Sequence, residues 1–189
     1  VTQAIYWIGN MEIRLGREQE GYETFLQGIV THGDDPKQFG IDMIIRDLIA
    51  DQANAADSEN RRAFSRSLRG KLSDSQDAGD QRTLELRLVT LFAETQRDVI
   101  QRGKLMAVLL HERNLERAAP ITLLTMGDEA SARKKQKLAE AAYSKLLGDY
   151  GGSDLALGAM LGLADLYAVQ GRSEDAIDLY RRMIAKYPG

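Results

Sequence analysis

The chain has no cysteine, and only three prolines, two histidines and one tryptophan in 189 residues. Without cysteine there is neither a disulfide framework nor a thiolate metal site. That absence fixes no compartment, since a disulfide-free protein is stable in cytoplasm or periplasm alike. So few prolines leave long stretches free to be helical. Long apolar runs are missing too: the longest, LMAVLL at residues 105–110, is far shorter than the roughly 18–20 residues a membrane-spanning helix needs. Neither sign of charge dominates, and a net charge of -3 gives no general drive toward nucleic acid or anionic lipid. What is present, 43% hydrophobic and 28% charged residues, belongs to a folded chain and not a disordered one. The sequence starts at Val1 and stops at Pro188-Gly189, so it is read as an excised piece of something longer, and the absence of a targeting signal says little about the whole protein.

Catalytic and cofactor motifs are scarce as well. His111, in LLHERN, opens like a zinc-protease HExxH but has no second histidine to complete the ligand set, and His32 stands in the turn THGDDP. No GxxxxGK[ST] or GxGxxG follows a strand, so a phosphate cradle has nothing to stand on. Carboxylates such as Asp34, Asp35 and Glu94 are not paired across one apolar pocket. The expectation is a chain with no enzymatic activity, no metal and no cofactor. Two basic clusters remain: Arg62, Arg66 and Arg69 at i, i+4 and i+7 on one helical stripe, and RKKQK at 133–137. Both are read as solvated faces; the alternative is a regulatory or RNA-binding module using the Arg62/Arg66/Arg69 stripe, weakened by the lack of interleaved aromatics.

The pattern is concentrated at the end, in GLADLYAVQGRSEDAIDLYRRMIAKYPG, residues 162–189. Leu157, Met160, Leu161, Ala164 and Tyr167 recur at helical spacing before Gly171, and Ala176, Ile177, Leu179, Tyr180, Met183 and Ile184 recur after it. Gly171 suits a helix stop, Ser173 is expected to cap the second helix, and Pro188 closes the unit. Two helices joined by so few residues must pack antiparallel. The same order of small and aromatic residues returns from Pro120 (Gly127, Ala130, Ala139, Tyr143, Gly151) and from Thr2 (Gly9, Gly16, Gly21, Phe25, Gly33). Between them, 38–52, 61–72, 82–98 and LMAVLLHERNLERA are read as helices that miss the repeat code, and DSQDAGD at 74–80 as the long loop.

This recurrence resembles the tetratricopeptide repeat (TPR), a helical hairpin of roughly 34 residues. The resemblance covers 2–35, 120–153 and 157–189, with degenerate hairpins over 36–119, in a single repeat domain. It implies an all-α fold: a TPR-like, right-handed superhelical array of antiparallel helix pairs, about eight to ten helices in all. It also implies a non-catalytic protein–protein interaction scaffold that holds a peptide or protein segment in a concave groove lined by the first helix of each pair. Family geometry places Tyr6, Asn10, Ile13 and Arg14 of the first unit and Leu161, Asp165 and Val169 of the last on that groove as partner-binding residues. Tyr6, where chaperone-binding members carry a lysine, and the charge of Asp165 argue against capture of a C-terminal carboxylate. The style of the repeats is similar to bacterial envelope TPR proteins, which implies a periplasmic or outer-membrane-associated location, with a cytoplasmic one as alternative. The last helix presents more apolar surface than one partner helix covers, so a homo-oligomeric or other contact is expected there.

Overall fold

The computed structural model describes residues 1–54, 82–95 and 99–187. All regular structure among these residues is helical, as the small–aromatic periodicity demands. The contacts divide the chain into two compact units, Val1–Arg102 and Gly103–Gly189. The Arg62/Arg66/Arg69 stripe, the 61–72 segment, the 74–80 loop and Pro188 lie outside the described residues.

In the first unit α1 (Thr2–Arg14) and α2 (Glu18–His32) form a hairpin, and α3 (Gly40–Asn54) rests on both. Helix α4 (Arg82–Thr95) packs on α3. The alternating leucines of RTLELRLVT thus belong to a helix, as read from its neighbours. The core gathers Phe25, Ile29, Ile41, Ile44, Ile45, Leu86, Leu88 and Leu91. At its centre is a charged side chain, Arg87, which has no exposed surface. Its Nε lies 2.8 Å from Asp42 Oδ1. Nη1 donates to the carbonyls of Gly33 (2.5 Å) and Asp35 (3.0 Å), and Nη2 to those of Pro36 and Gln38 (both 3.3 Å). One guanidinium therefore ties four carbonyls of the α2–α3 connection, of which those of Asp35 and Gln38 also accept from the N–H groups of Gln38 and Ile41 (both 3.1 Å). Asp34 adds a second tie by accepting from the Leu84 N–H at the start of α4. Burial pushes the Asp42 carboxyl upward, with Arg87 pulling it back.

Helix α5 (Val99–Leu109) leads into the second unit. The expected single helix over LMAVLLHERNLERA is corrected here: α5 stops at Leu109 and Glu112–Arg117 is a separate 3-10 turn. The buried Asn114 is the cause, because its amide donates to the carbonyls of Val108 and Leu109 (2.8 and 3.0 Å) and so terminates α5. Then come the hairpins α6 (Pro120–Ala132) with α7 (Gln136–Tyr150), and α8 (Ala156–Val169) with α9 (Ser173–Lys186). Pro120 occupies the first turn of α6, where its missing N–H costs nothing. Helix α8 packs on α7, α9 and α6, so consecutive hairpins stack through their first helices as well.

The three hairpin turns share one geometry. Gly16, Lys134 and Gly171 are left-handed, with φ of 79°, 59° and 77°. In each, that residue's N–H bonds three residues back and the next N–H five residues back, closing on Glu12, Ala130 and Tyr167. This is the Schellman termination, which glycine makes without a Cβ clash. Ser173 does not cap α9 as expected: it is already the first helical residue, and Arg172 stands at the N-cap without a side-chain cap bond. The Arg172 side chain instead binds Asp175 (2.8 Å) and Glu140 (2.9 Å).

Candidate partner-binding faces

Inside each hairpin a small residue on the first helix receives the aromatic ring of the second. A Cβ on Gly9 would meet Phe25 Cε1 at 2.3 Å, and one on Gly127 would meet Tyr143 Cε1 at 2.3 Å. Ala164 and Tyr180 hold the same places, sixteen residues apart, in the last hairpin. The next residue of each first helix then decides what the ring can bond to. Tyr143 donates to Asp128 Oδ1 and Tyr180 to Asp165 Oδ1, both at 2.7 Å, whereas the first hairpin carries Asn10 and Phe25. Burial, then the bond to Asp128, pushes the Tyr143 phenol well above its ordinary value; for Tyr180 the bond to Asp165 is the leading cause.

The anticipated residues of the first unit lie on α1. Tyr6 donates to Asp47 Oδ2 on α3 at 2.6 Å, which raises its pKa, and the Asn10 amide donates to the Tyr6 carbonyl at 3.0 Å. Ile13 is half-buried over Gly21, and Arg14 is exposed. In the second unit Leu161 and Val169 stand out from α8 with 47% and 78% of their surfaces exposed, while Ala159, Met160, Leu163, Ala164 and Leu166 of the same helix are buried. Asp165 lies between them, fixed by Tyr180.

Two participants escaped the sequence reading. Leu124 and Asp128 of α6 occupy the repeat positions of Leu161 and Asp165, and Gly158 of α8 approaches Leu124 so closely that a Cβ would touch it at 3.5 Å. The register that placed Leu161 and Asp165 would have found both if applied to the unit from Pro120. The face formed by α6 and α8 thus combines aliphatic side chains with two carboxylates held by tyrosine hydroxyls. Among the described residues no set of three or more acidic or histidine side chains could hold a metal ion, and no helix is long and apolar enough to cross a membrane.

The tetratricopeptide repeat family model matches residues 158–189. These are nearly all of the α8–α9 hairpin. No curated protein and no solved structure matches the chain. Repeats of this family are generally non-catalytic modules for protein–protein interaction. The match falls on a hairpin whose turn and small–aromatic joint recur in α6–α7 and α1–α2, so it supports a tetratricopeptide repeat at the matched residues and two further hairpins built like it.

Proposed function

We propose that the chain is a non-catalytic scaffold that holds a segment of another protein on the first helices of its hairpins. Leu161, Asp165 and Val169 make the contact in the second unit, joined by Leu124 and Asp128; Tyr6, Asn10, Ile13 and Arg14 serve the first. The exposure of Leu161 and Val169 on a helix whose other side is buried carries this reading, because an apolar face beside fixed polar acceptors is what a bound segment requires. The hydrogen bonds from Tyr143 and Tyr180 support it by holding the carboxylates in one orientation before a partner arrives, which lowers the ordering cost of binding. α8 stacks on α6 and α7 within this unit, and the right-handed sense of the array belongs to the same proposal. A periplasmic or outer-membrane-associated setting belongs to the same proposal, with the cytoplasm as its alternative, and rests on the style of the repeats.

The test is a photo-crosslinker placed at Val169 and, separately, at exposed Asp178 on α9. Specific adducts from Val169 alone, abolished by Leu161→Glu with the helical spectrum intact, support the reading. Equal adducts from both positions, or none from Val169, would sink it.

A further inference from the structure

The α6–α8 face carries one arrangement twice. Leu124 precedes Asp128 by four residues on α6, and Leu161 precedes Asp165 by four on α8. Four residues of helix rise about 6 Å, so each aliphatic side chain lies one turn behind its carboxylate on the same side of its helix. Asp128, Leu161 and Asp165 are exposed and Leu124 is half-buried. The first hairpin has Tyr6 and Asn10 at these places, so the repeated aliphatic–acid pair belongs to the second unit.

Both carboxylates lack a counter-charge. Tyr143 and Tyr180 each donate to one oxygen, Oδ1, at 2.7 Å, and the second oxygen of each has no partner among the described residues. The first cations that follow them in the sequence are committed elsewhere: Arg133 lies 3.3 Å from Glu129, and Arg172 binds Glu140 and Asp175. Burial, the bond to Asp128 and the charges of Asp128 and Asp165 all push the Tyr143 phenol upward, so both carboxylates act on one hydroxyl. Two like charges thus share one neighbourhood, on helices that pack together.

This arrangement discriminates among occupants. An acidic segment or a nucleic acid brings more charge of the same sign. A wholly apolar segment would strip water from the carboxylates and offer nothing in return. Lysine and arginine satisfy both halves, since their methylene stems cover an aliphatic side chain while the charged head reaches one turn further. The axes of packed helices stand about 8–10 Å apart. That distance is roughly three residues of extended chain at about 3.3 Å each.

We propose that the α6–α8 face selects an extended polypeptide segment with two basic residues three positions apart. Their stems lie over Leu124 and Leu161, and their charges meet Asp128 and Asp165. This rests on the reading of that face as the contact surface and adds the chemistry of the segment it holds.

The experiment pans a phage library of random dodecapeptides on the full chain. Enriched peptides are made with a fluorophore and their affinity is read by anisotropy, against the wild-type chain and against Asp128→Asn/Asp165→Asn. Asparagine keeps an oxygen for each tyrosine hydroxyl at these exposed positions, so the helical spectrum should be unaltered. Enriched peptides should carry paired basic residues three positions apart. Replacing those residues by neutral citrulline or acetyl-lysine should weaken binding at least tenfold to the wild-type chain, and less than twofold to the double variant. Peptides that crosslink from Val169 but carry no paired cations, or carry acids instead, overturn this inference while the contact surface stands. An equal loss in both chains overturns it too. If no peptide is enriched, or none crosslinks from Val169, the contact surface itself is wrong and the inference falls with it.

Discussion

The hairpins α1–α2 and α6–α7 have the same turn, the same glycine-on-ring joint and the same spacing, yet their surroundings are stabilised in different ways. In the second unit the joint continues outward: the Tyr143 ring that fills the space over Gly127 also supports Gly162 of the next hairpin and bonds Asp128. One side chain therefore couples three helices. In the first unit Phe25 packs over Gly9 in the same way but has no hydroxyl to bond a neighbour. The elements after it are held instead by Arg87, which binds the α2–α3 connection and Asp42 from α4. A repeat can thus propagate by self-similar packing, or be extended by one polar clamp where self-similarity fails. The first way is tolerant of sequence drift in each member. The second concentrates the dependence in a single residue.

The sharpest way to break this comparison is to remove the clamp. Arg87→Met should destabilise the chain by about 3–5 kcal/mol, since it leaves the Asp42 carboxyl buried without the Arg87 charge and the loop carbonyls of Gly33 and Pro36 without their donor. Arg87→Lys should recover little of that, because one ammonium cannot reach acceptors arranged around a planar fork. Urea unfolding followed by circular dichroism measures both. A midpoint unchanged in Arg87→Met would show that the first unit does not depend on this residue.

The clamp was also the largest omission of the sequence reading, for a physical reason. Helical spacing of apolar residues reports which face is buried, and Leu84, Leu88 and Leu91 identified α4 correctly. It treats any arginine as exposed. Here Leu86, Leu88, Thr90 and Ala93 are buried as well, so α4 is covered on nearly all sides and Arg87 has no route to water. The clue was a charge between two leucines together with a carbonyl-rich turn, HGDDPKQ, and only their meeting in space gives it meaning. The hairpins, by contrast, were legible because their code is local: a small residue, an aromatic sixteen positions on, and a left-handed turn between. Of the proposed contacts, the positions of Leu161 and Val169 followed from that code. The bonds of Tyr6 to Asp47 and of Tyr180 to Asp165 did not, since both depend on side-chain rotamers.

Gly127→Ala and Gly9→Ala probe the joint itself. Each new methyl group meets a ring at 2.3 Å, so each should cost about 1–3 kcal/mol in thermal or urea unfolding. The cost should be the larger at Gly127, where Asp128 and Gly162 both hold Tyr143 in place, than at Gly9, where Phe25 lacks a hydroxyl tether. Equal losses would mean that the outward coupling through Tyr143 contributes nothing. Tyr143→Phe separates the hydroxyl from the ring: about 1 kcal/mol should be lost with the bond to Asp128, while the packing survives. That substitution makes the second unit's joint chemically that of the first. If it proves neutral, Asp128 is oriented by something other than this tyrosine.

The smallest effect should carry the opposite sign. Lys134 occupies the left-handed turn position that Gly16 and Gly171 fill in the other two hairpins, with the same pair of backbone bonds closing the helix. A side chain in that conformation brings its Cβ against the carbonyl oxygen, at about 1–2 kcal/mol relative to the right-handed form. Glycine would remove that strain but would also make the unfolded chain more flexible, an opposing term of about 0.4–1 kcal/mol. Lys134→Gly should therefore stabilise the protein by about 0.5–1 kcal/mol, the difference of those two terms. The reciprocal changes Gly16→Lys and Gly171→Lys should each destabilise it by a similar amount, because no atom crowds either glycine's Cβ position and only the backbone conformation is at stake. Lys134 is exposed, so the loss of its side chain removes no core contact to confuse the result. A destabilising Lys134→Gly would show that this lysine contributes something its backbone does not reveal, and that the α6–α7 turn is not the equal of the other two.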